Sequence, residues 1–548
     1  MPSFRPKQKE TLEKCAQLLD SGKKLILLQA PVGFGKSAVN TALCRYYQPS
    51  IYTTPQLSLI DQILGDKHLN KYFVEIKGRD NYRCAKDMYL TPVRYGLCRR
   101  EKDVIPDRCN WLSECPYYSQ KIKAIKSPIA LMSTAYFIVD AYLEPPNFSG
   151  RNLVVIDEGH FLSEYVADHT SLENSSKTLP IEVWKKCKNN PTAVEKIMEH
   201  VKEFLDKKQE KLDGGATLTD EEVREREKAI EWLSKAKRYL ETELLAEWVW
   251  IDKNGGKIAR PVYARWFMES MVWSRAEKFI VSSATIINPK IWIRENGADL
   301  AFNGSEIVFI EVGTTFPPEN RRIIDVSIGS LKYENQKENL APAVRMLEYI
   351  LATANGKKVA VHFPSYRLAK QFYDAMQDIR KIYLPNPENR DVVLEEWKRD
   401  KNGGVLFAVA LYEGQDWKYE TCGIQVLVKT LYPDATDPII RKRLERKEYR
   451  WLMWTALVKC LQAYGRAIRA EDDYMEFYVL DEEFWELLKR NWSNIPYWFR
   501  EVVPKNRWPK KYRTEPKQQV PHWFRENVPK NRWSKEITEP KSQERRET

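Results

Sequence analysis

Three short stretches of this chain combine residue types that handle phosphate chemistry. Ala30-Pro31-Val32-Gly33-Phe34-Gly35-Lys36-Ser37 is a Walker A loop with Ala30 in place of the first glycine. Its glycines, Gly33 and Gly35, let backbone amides turn inward around phosphate oxygens. The Lys36 ammonium would sit against β- and γ-phosphates, with the Ser37 hydroxyl on Mg²⁺. Asp157-Glu158-Gly159-His160 is the expected partner. Asp157 would hold Mg²⁺ through water, while Glu158 orients and deprotonates an attacking water. An acid pair capping a helix is the plainer explanation, and the loop upstream makes it the poorer one. In Gln462-Ala463-Tyr464-Gly465-Arg466-Ala467-Ile468-Arg469, the two arginines are three apart and share a helix face. Alone this is an ordinary arginine-bearing helix. Across a cleft from a phosphate loop, two guanidiniums would stabilise charge developing on a γ-phosphate.

A fourth constellation is Cys84, Cys98, Cys109 and Cys115, four of the chain's nine cysteines within 32 residues. Four thiolates suffice for one iron–sulfur cluster or one zinc, and the spacing does not choose between them. The long, uneven gaps do not fit the paired knuckles of a zinc ribbon. Residues 77–126, which hold this cluster, carry 12 Lys+Arg against 6 Asp+Glu, and residues 491–548 carry 14 against 7. The net charge of +12 therefore resides in these two segments. Tyr82, Tyr95, Trp111, Tyr117 and Tyr118 interleave with the first, a combination that suits a nucleic-acid backbone and its bases. A solvated basic face explains it equally well.

The elements that must position these residues are legible as apolar runs. Leu25–Ala30, Leu153–Ile156 and Lys278–Val281 each end in polar residues, the last in Ser282-Ser283-Ala284-Thr285. That pattern predicts an α/β fold with a parallel sheet and function at its carboxyl edge. Residues 170–260 are Lys/Glu-rich with helical spacing over Val194–Lys208 and Glu221–Leu245, broken at Asp213-Gly214-Gly215. They read as a helical insertion. Runs at Val359–Phe363, Leu406–Ala410, Ile424–Val428 and Phe477–Leu480 predict a second α/β domain. Near the end, Trp498–Trp508 recurs as Trp523–Trp533 with only Val502 changed, to Asn527. Two copies make no solenoid; the repeat is expected to be a solvent-exposed tail, with a docked peptide or a nucleic-acid arm as the alternatives.

Length and composition bound the rest. At 548 residues the chain can bury several cores, and 43% hydrophobic with 30% charged residues suits a globular protein. No apolar run approaches the roughly 18 residues of a membrane span, and the N-terminal residues lack a secretory pattern, so secreted and membrane-spanning classes are not expected.

Taken in order, these motifs resemble the XPD/DinG family of iron–sulfur superfamily 2 DNA helicases over roughly residues 4–496. Lys77–Cys84 and Cys115–Tyr118 are similar to that family's entry to and exit from its cluster domain. Val361–Tyr366, Tyr412–Trp417 and Gln462–Tyr474 resemble helicase motifs IV, V and VI. The resemblance implies two RecA-like parallel-sheet motor domains, with an Fe-S cluster insertion and a helical arch in the first. Residues 1–76, 127–169 and 261–318 would form the first motor, 77–126 the cluster domain and 170–260 the arch. Residues 319–496 would form the second motor and 497–548 a basic tail. It further implies ATP, Mg²⁺ and a [4Fe-4S] cluster on Cys84, Cys98, Cys109 and Cys115, with 5′→3′ translocation on single-stranded and forked DNA by a monomer. Gln8 would contact adenine, Asp416 would help hold the nucleotide, and Gln462 would touch the γ-phosphate. Thr54, Ser283, Thr285 and Ser365 would couple hydrolysis to DNA. Repair, replication or R-loop processing in the cytoplasm, on the nucleoid or, for a viral protein, in the host cytoplasm would be the setting. A translocase without strand separation and a binding scaffold with a vestigial motor are the alternatives. Two departures stand out: Gly159 where the family usually has Ala, and Gln415 where a small aliphatic residue is usual.

Overall fold

The computed structural model describes residues 5, 7–86, 91–99, 114–143, 145–253, 255–314, 316–376, 380–386, 388–409, 411, 422–466 and 473–510. In chain order its strands are β1 (Leu25–Gln29), β2 (Ser50–Thr54), β3 (Val74–Ile76), β4 (Ile129–Ser133) and β5 (Arg151–Asp157). There follow β6 (Leu172–Asn174), β7 (Trp248–Lys253), β8 (Gly256–Pro261), β9 (Ala276–Ser283) and β10 (Ile307–Glu311). The second half contributes β11 (Arg321–Asp325), β12 (Val359–Phe363), β13 (Ile382–Tyr383), β14 (Val405–Val409), β15 (Ile424–Leu427) and β16 (Met475–Val479).

Thirteen of these strands form two all-parallel sheets, ordered β10-β1-β9-β5-β2-β4-β3 and β11-β16-β15-β12-β14-β13. The continuous apolar runs reflect burial on both faces. In β1, Leu25 and Leu27 enter one core while Ile26 and Leu28 enter another on the opposite side. The first of these cores is shared by both sheet domains, joining Phe279 and Trp292 to Trp454, Phe477 and Trp485. The carboxyl ends of β1, β5 and β9 therefore open towards the second domain, where the phosphate-handling residues lie. Among the described residues, no helix is long and apolar enough to cross a membrane.

The insertion between β5 and β9 departs from the purely helical expectation. Its helices Val194–Asp213 and Asp220–Ala246 pack together through Ile197, Phe204, Trp232 and Tyr239. Beside them lies a three-stranded antiparallel sheet, β6-β8-β7. In the β7–β8 hairpin Lys253 pairs with Gly256, and Gly255 takes a φ of 75°. An Asn-Gly pair between apolar runs is a strong hairpin signal that charge-rich surroundings obscured.

The repeat also departs from expectation. Its first copy is docked: Trp498, Phe499 and Val503 are buried against the second sheet domain. The second copy, Trp523–Trp533, lies outside the described residues.

Candidate nucleotide and nucleic-acid sites

After β1 the chain turns through Gly33 and Gly35, both with φ near 80°, into helix Lys36–Tyr46. Gly35 cannot be replaced cheaply: its φ of 83° strains any other residue, and a Cβ there would also displace Gln8 Nε2, 2.3 Å away. Gln8 braces the loop by donating to the Phe34 carbonyl at 2.8 Å, and Arg5 donates to the Gly33 carbonyl at 2.8 Å. The helix N-terminus thus presents its free amides at the loop, an arrangement that binds anions.

Asp157 ends β5 and is held from two sides. Tyr52 donates to Oδ2 at 2.9 Å and Ser282 to Oδ1 at 2.7 Å, with Asn40 in turn donating to the Ser282 hydroxyl at 2.8 Å. Burial and the neighbouring Glu158 charge raise the Asp157 pKa, against the opposing pull of Lys36 and the two hydroxyls. Glu158 takes a left-handed φ of 51° and pairs with Lys36 Nζ at 3.0 Å. Burial would raise its pKa, but Lys36 and His160 overcome that and hold Glu158 well below the usual carboxylate range.

From Glu158 a chain of contacts crosses to the second domain. His160 Nδ1 lies 3.5 Å from Glu158 and 2.9 Å from the Ser283 hydroxyl. Thr285 N donates to that hydroxyl at 3.1 Å, and Gln462 Nε2 donates to the Thr285 hydroxyl at 2.6 Å. Gln462 Nε2 also lies 3.5 Å from His160. Buried contacts of this kind tie the Glu158 carboxylate to the helix Tyr449–Tyr464 that ends beside Arg466.

The structure brings Gly33, Gly35, Lys36, Ser37, Asp157, Glu158, Gln462 and Arg466 around one cleft of about 1120 Å³ between the two domains. Ala30 is buried at the base of the loop. Arg5, Arg390 and Lys398 also line the cleft. No motif marks these three in the sequence, because they reach it from separate elements. Thr54 and Ser365 are not part of it: the Thr54 hydroxyl donates to Gln56 O, and Ser365 caps helix Tyr366–Ala375. Arg469 and Asp416 lie outside the described residues.

Gly159 has a packing reason. A Cβ there would stand 2.5 Å from Val281 Cγ1 and 3.2 Å from Ile156 Cγ2, so β9 fills the space that an alanine methyl needs.

Three of the four clustered cysteines, Cys84, Cys98 and Cys115, are half-buried, while Cys109 lies outside the described residues. Gly96 leaves room for the Cys84 sulfur, which would lie 3.2 Å from a Cβ at that position. Among the described residues no three His, Cys, Asp or Glu side chains converge as a metal site. The donor types suit a cluster, and the three described cysteines are not gathered into a metal site. The basic residues around them are largely engaged. Arg79 and Arg99 pair with Glu227 of the insertion helix at 3.3 and 3.6 Å, and Lys86 pairs with Glu114 at 2.6 Å.

A second groove, of about 870 Å³, runs where the foot of the insertion meets both domains. It combines Arg265, Lys290, Arg294 and Arg450 with Trp266 and Tyr449, the latter two 40% and 54% exposed. Cations beside open aromatic faces suit a single-stranded backbone with stacked bases. Sequence reasoning missed this groove because its residues come from three distant stretches.

Residues 347–502 match the helicase C-terminal domain family, and residues 1–219 match the family described as type III restriction enzyme, res subunit. The chain is 24% identical over 177 residues to the general transcription and DNA repair factor IIH helicase subunit XPD/RAD3 of Saccharomyces cerevisiae. That alignment spans 28% of this chain and 22% of the relative's length. A solved XPD helicase matches at a TM-score of 0.60 and 16% identity, covering 90% of this chain and 99% of that one. The structure of Xpd4 from S. tokodaii matches at 0.51 and 18% identity, covering 88% and 97%. The second domain thus matches a helicase family in sequence, the first matches the type III restriction enzyme res-subunit family, and the two-domain fold is similar to that of solved XPD helicases.

Proposed function

We propose that the protein is an ATP-dependent DNA helicase that moves 5′→3′ along single-stranded DNA and opens forked duplex. The observation carrying this is the buried contact chain from Lys36 and Glu158 through His160, Ser283 and Thr285 to Gln462. It links the phosphate loop of one domain to the arginine-bearing helix of the other. Hydrolysis can drive movement only if the state of the phosphate site is felt by both domains.

Lys36 neutralises Glu158. A triphosphate entering the loop draws the Lys36 ammonium to its β- and γ-oxygens. Glu158 loses its counterion, its basicity rises, and it can accept a proton from the attacking water. Mg²⁺, when bound, offsets phosphate charge; the Ser37 hydroxyl and the Asp157 carboxylate are the residues to hold it. Gln462 and Arg466 then meet the γ-phosphate from the second domain, closing the cleft. Release of phosphate lets the domains part, and alternating grip in the cationic–aromatic groove advances the strand. Cys84, Cys98, Cys109 and Cys115 hold a [4Fe-4S] cluster in this reading, which iron and sulfide content of anaerobically purified protein would test.

The functional test is ATP-dependent strand displacement on duplexes with either a 5′ or a 3′ single-stranded tail. Unwinding confined to the 5′ tail is expected. Unwinding only from the 3′ tail would overturn the polarity, and DNA-stimulated ATP hydrolysis without unwinding would leave a translocase.

A further inference from the structure

The docked first repeat bridges both sheet domains at the point where the chain crosses between them. The Tyr497 amide donates to Glu311, at the end of β10 in the first domain, at 2.6 Å. In the second domain Arg321, at the start of β11, donates to the Trp498 carbonyl and pairs with Glu501 at 2.7 Å. The Trp498 ring stacks on Tyr464, and Phe499 packs edge-on to the same ring at 4.9 Å. Arg507 pairs with Asp325 and with both oxygens of Glu482, and Trp508 packs against Trp492 at 5.1 Å. The seat is therefore made of an apolar slot flanked by one cation, Arg321, and three acids, Glu311, Asp325 and Glu482.

Every side chain of the first copy that engages this seat recurs 25 residues later. Trp498, Phe499, Glu501, Val503, Arg507 and Trp508 become Trp523, Phe524, Glu526, Val528, Arg532 and Trp533. Pro496 and Pro504 also recur, as Pro521 and Pro529, so the turn geometry is encoded again. The one change, Val502 to Asn527, falls at a half-buried position on the rim.

We propose that residues 523–533 are an alternative occupant of the seat filled by residues 498–508, reached from within the same chain. However the duplication arose, identical anchor groups at identical spacing bind an identical slot. The first copy holds the seat because it continues directly from Trp492–Asn494 and keeps Val502. The second copy reaches it on a tether of some 25 residues, at a local concentration of about millimolar, which exceeds capture by a neighbouring molecule at micromolar protein. Because the seat spans Glu311 and Arg321, exchange would hand Glu311 from the Tyr497 amide to the His522 amide without emptying the slot.

Hydrogen exchange followed by mass spectrometry on the full chain tests this. Glu501→Lys sets a cation against Arg321 and disfavours the first copy; the double variant Glu501→Lys/Glu526→Lys disfavours both. Amide exchange in residues 523–533 is expected to slow about tenfold or more in the single variant, and to return to the wild-type rate in the double variant. Trp498→Ala/Phe499→Ala, with and without Trp523→Ala/Phe524→Ala, repeats the comparison with a stronger displacement. Equal exchange of 523–533 in all variants overturns the proposal. Protection that grows with protein concentration overturns the same-chain assignment and places the second copy on a neighbouring molecule.

Discussion

At the scale of single residues, Gly159 shows how one methyl group is decided by a strand elsewhere in the chain. The expected consequence is specific: Gly159→Ala collides with Val281 and lowers stability by about 1–3 kcal/mol, the usual cost of overpacking. Val281→Ala in the same molecule opens the space, and thermal unfolding of the double variant should recover part of the loss. Failure of Val281→Ala to rescue would place the strain at another contact, such as Ile156. The same residue scale carries a pH effect. Burial pushes the His362 imidazole down to about 4, helped by the Arg466 charge and opposed by its hydrogen bond to Gln425. The folded state thus holds this ring neutral while the unfolded chain protonates it near its ordinary value of about 6.5. Its contribution is complete above about pH 6.5 and declines towards pH 4 by up to about 1.4 kcal/mol per unit. His362→Gln should flatten that part of a stability–pH profile, and an unchanged slope would count against it.

Among the elements, the insertion helix Asp220–Ala246 has the clearest start signal. Thr219 accepts from the Glu222 amide at 3.2 Å, and Glu222 accepts from the Thr219 amide at 2.9 Å, a reciprocal cap. Lys211, the Thr219 amide and Lys208 hold the Glu222 carboxyl down at about 2. Thr219→Ala should cost about 1 kcal/mol and speed amide exchange in the first turn of that helix, leaving the sheet domains unchanged. The helix matters beyond its own stability, because Glu227 along it anchors Arg79 and Arg99 of the cysteine-bearing segment.

For the whole molecule, the decisive feature is the joint between the two sheet domains. Arg443 is buried there, donating to Glu295 at 2.7 Å, Glu448 at 3.1 Å and the Val262 carbonyl at 2.9 Å. Its guanidinium also lies over Trp451 at 4.0 Å and Tyr263 at 4.8 Å. Removing one side of such a pair strands a buried charge, so Arg443→Ala should destabilise the joint by about 3–5 kcal/mol. Small-angle scattering should then show a more extended molecule without nucleotide. A compact particle of unchanged stability would mean the shared apolar core holds the domains by itself.

Much of this was legible in the residues alone. The loop Ala30–Ser37, the Asp157–His160 box and the two blocks of parallel strands follow from local composition, because glycine conformations, strand burial and helix starts are set within a few residues of sequence. The identity of the residues that meet across the cleft was legible only for those carried on motifs, Gln462 and Arg466. Tertiary structure decided the rest: that Arg390 and Lys398 line the cleft, that Val281 forbids a methyl at 159, that Arg443 bolts the domains together, and that Trp498–Trp508 is docked and not solvated. Each depends on a contact between residues far apart in the chain, and no local spacing records which distant surface a side chain will meet.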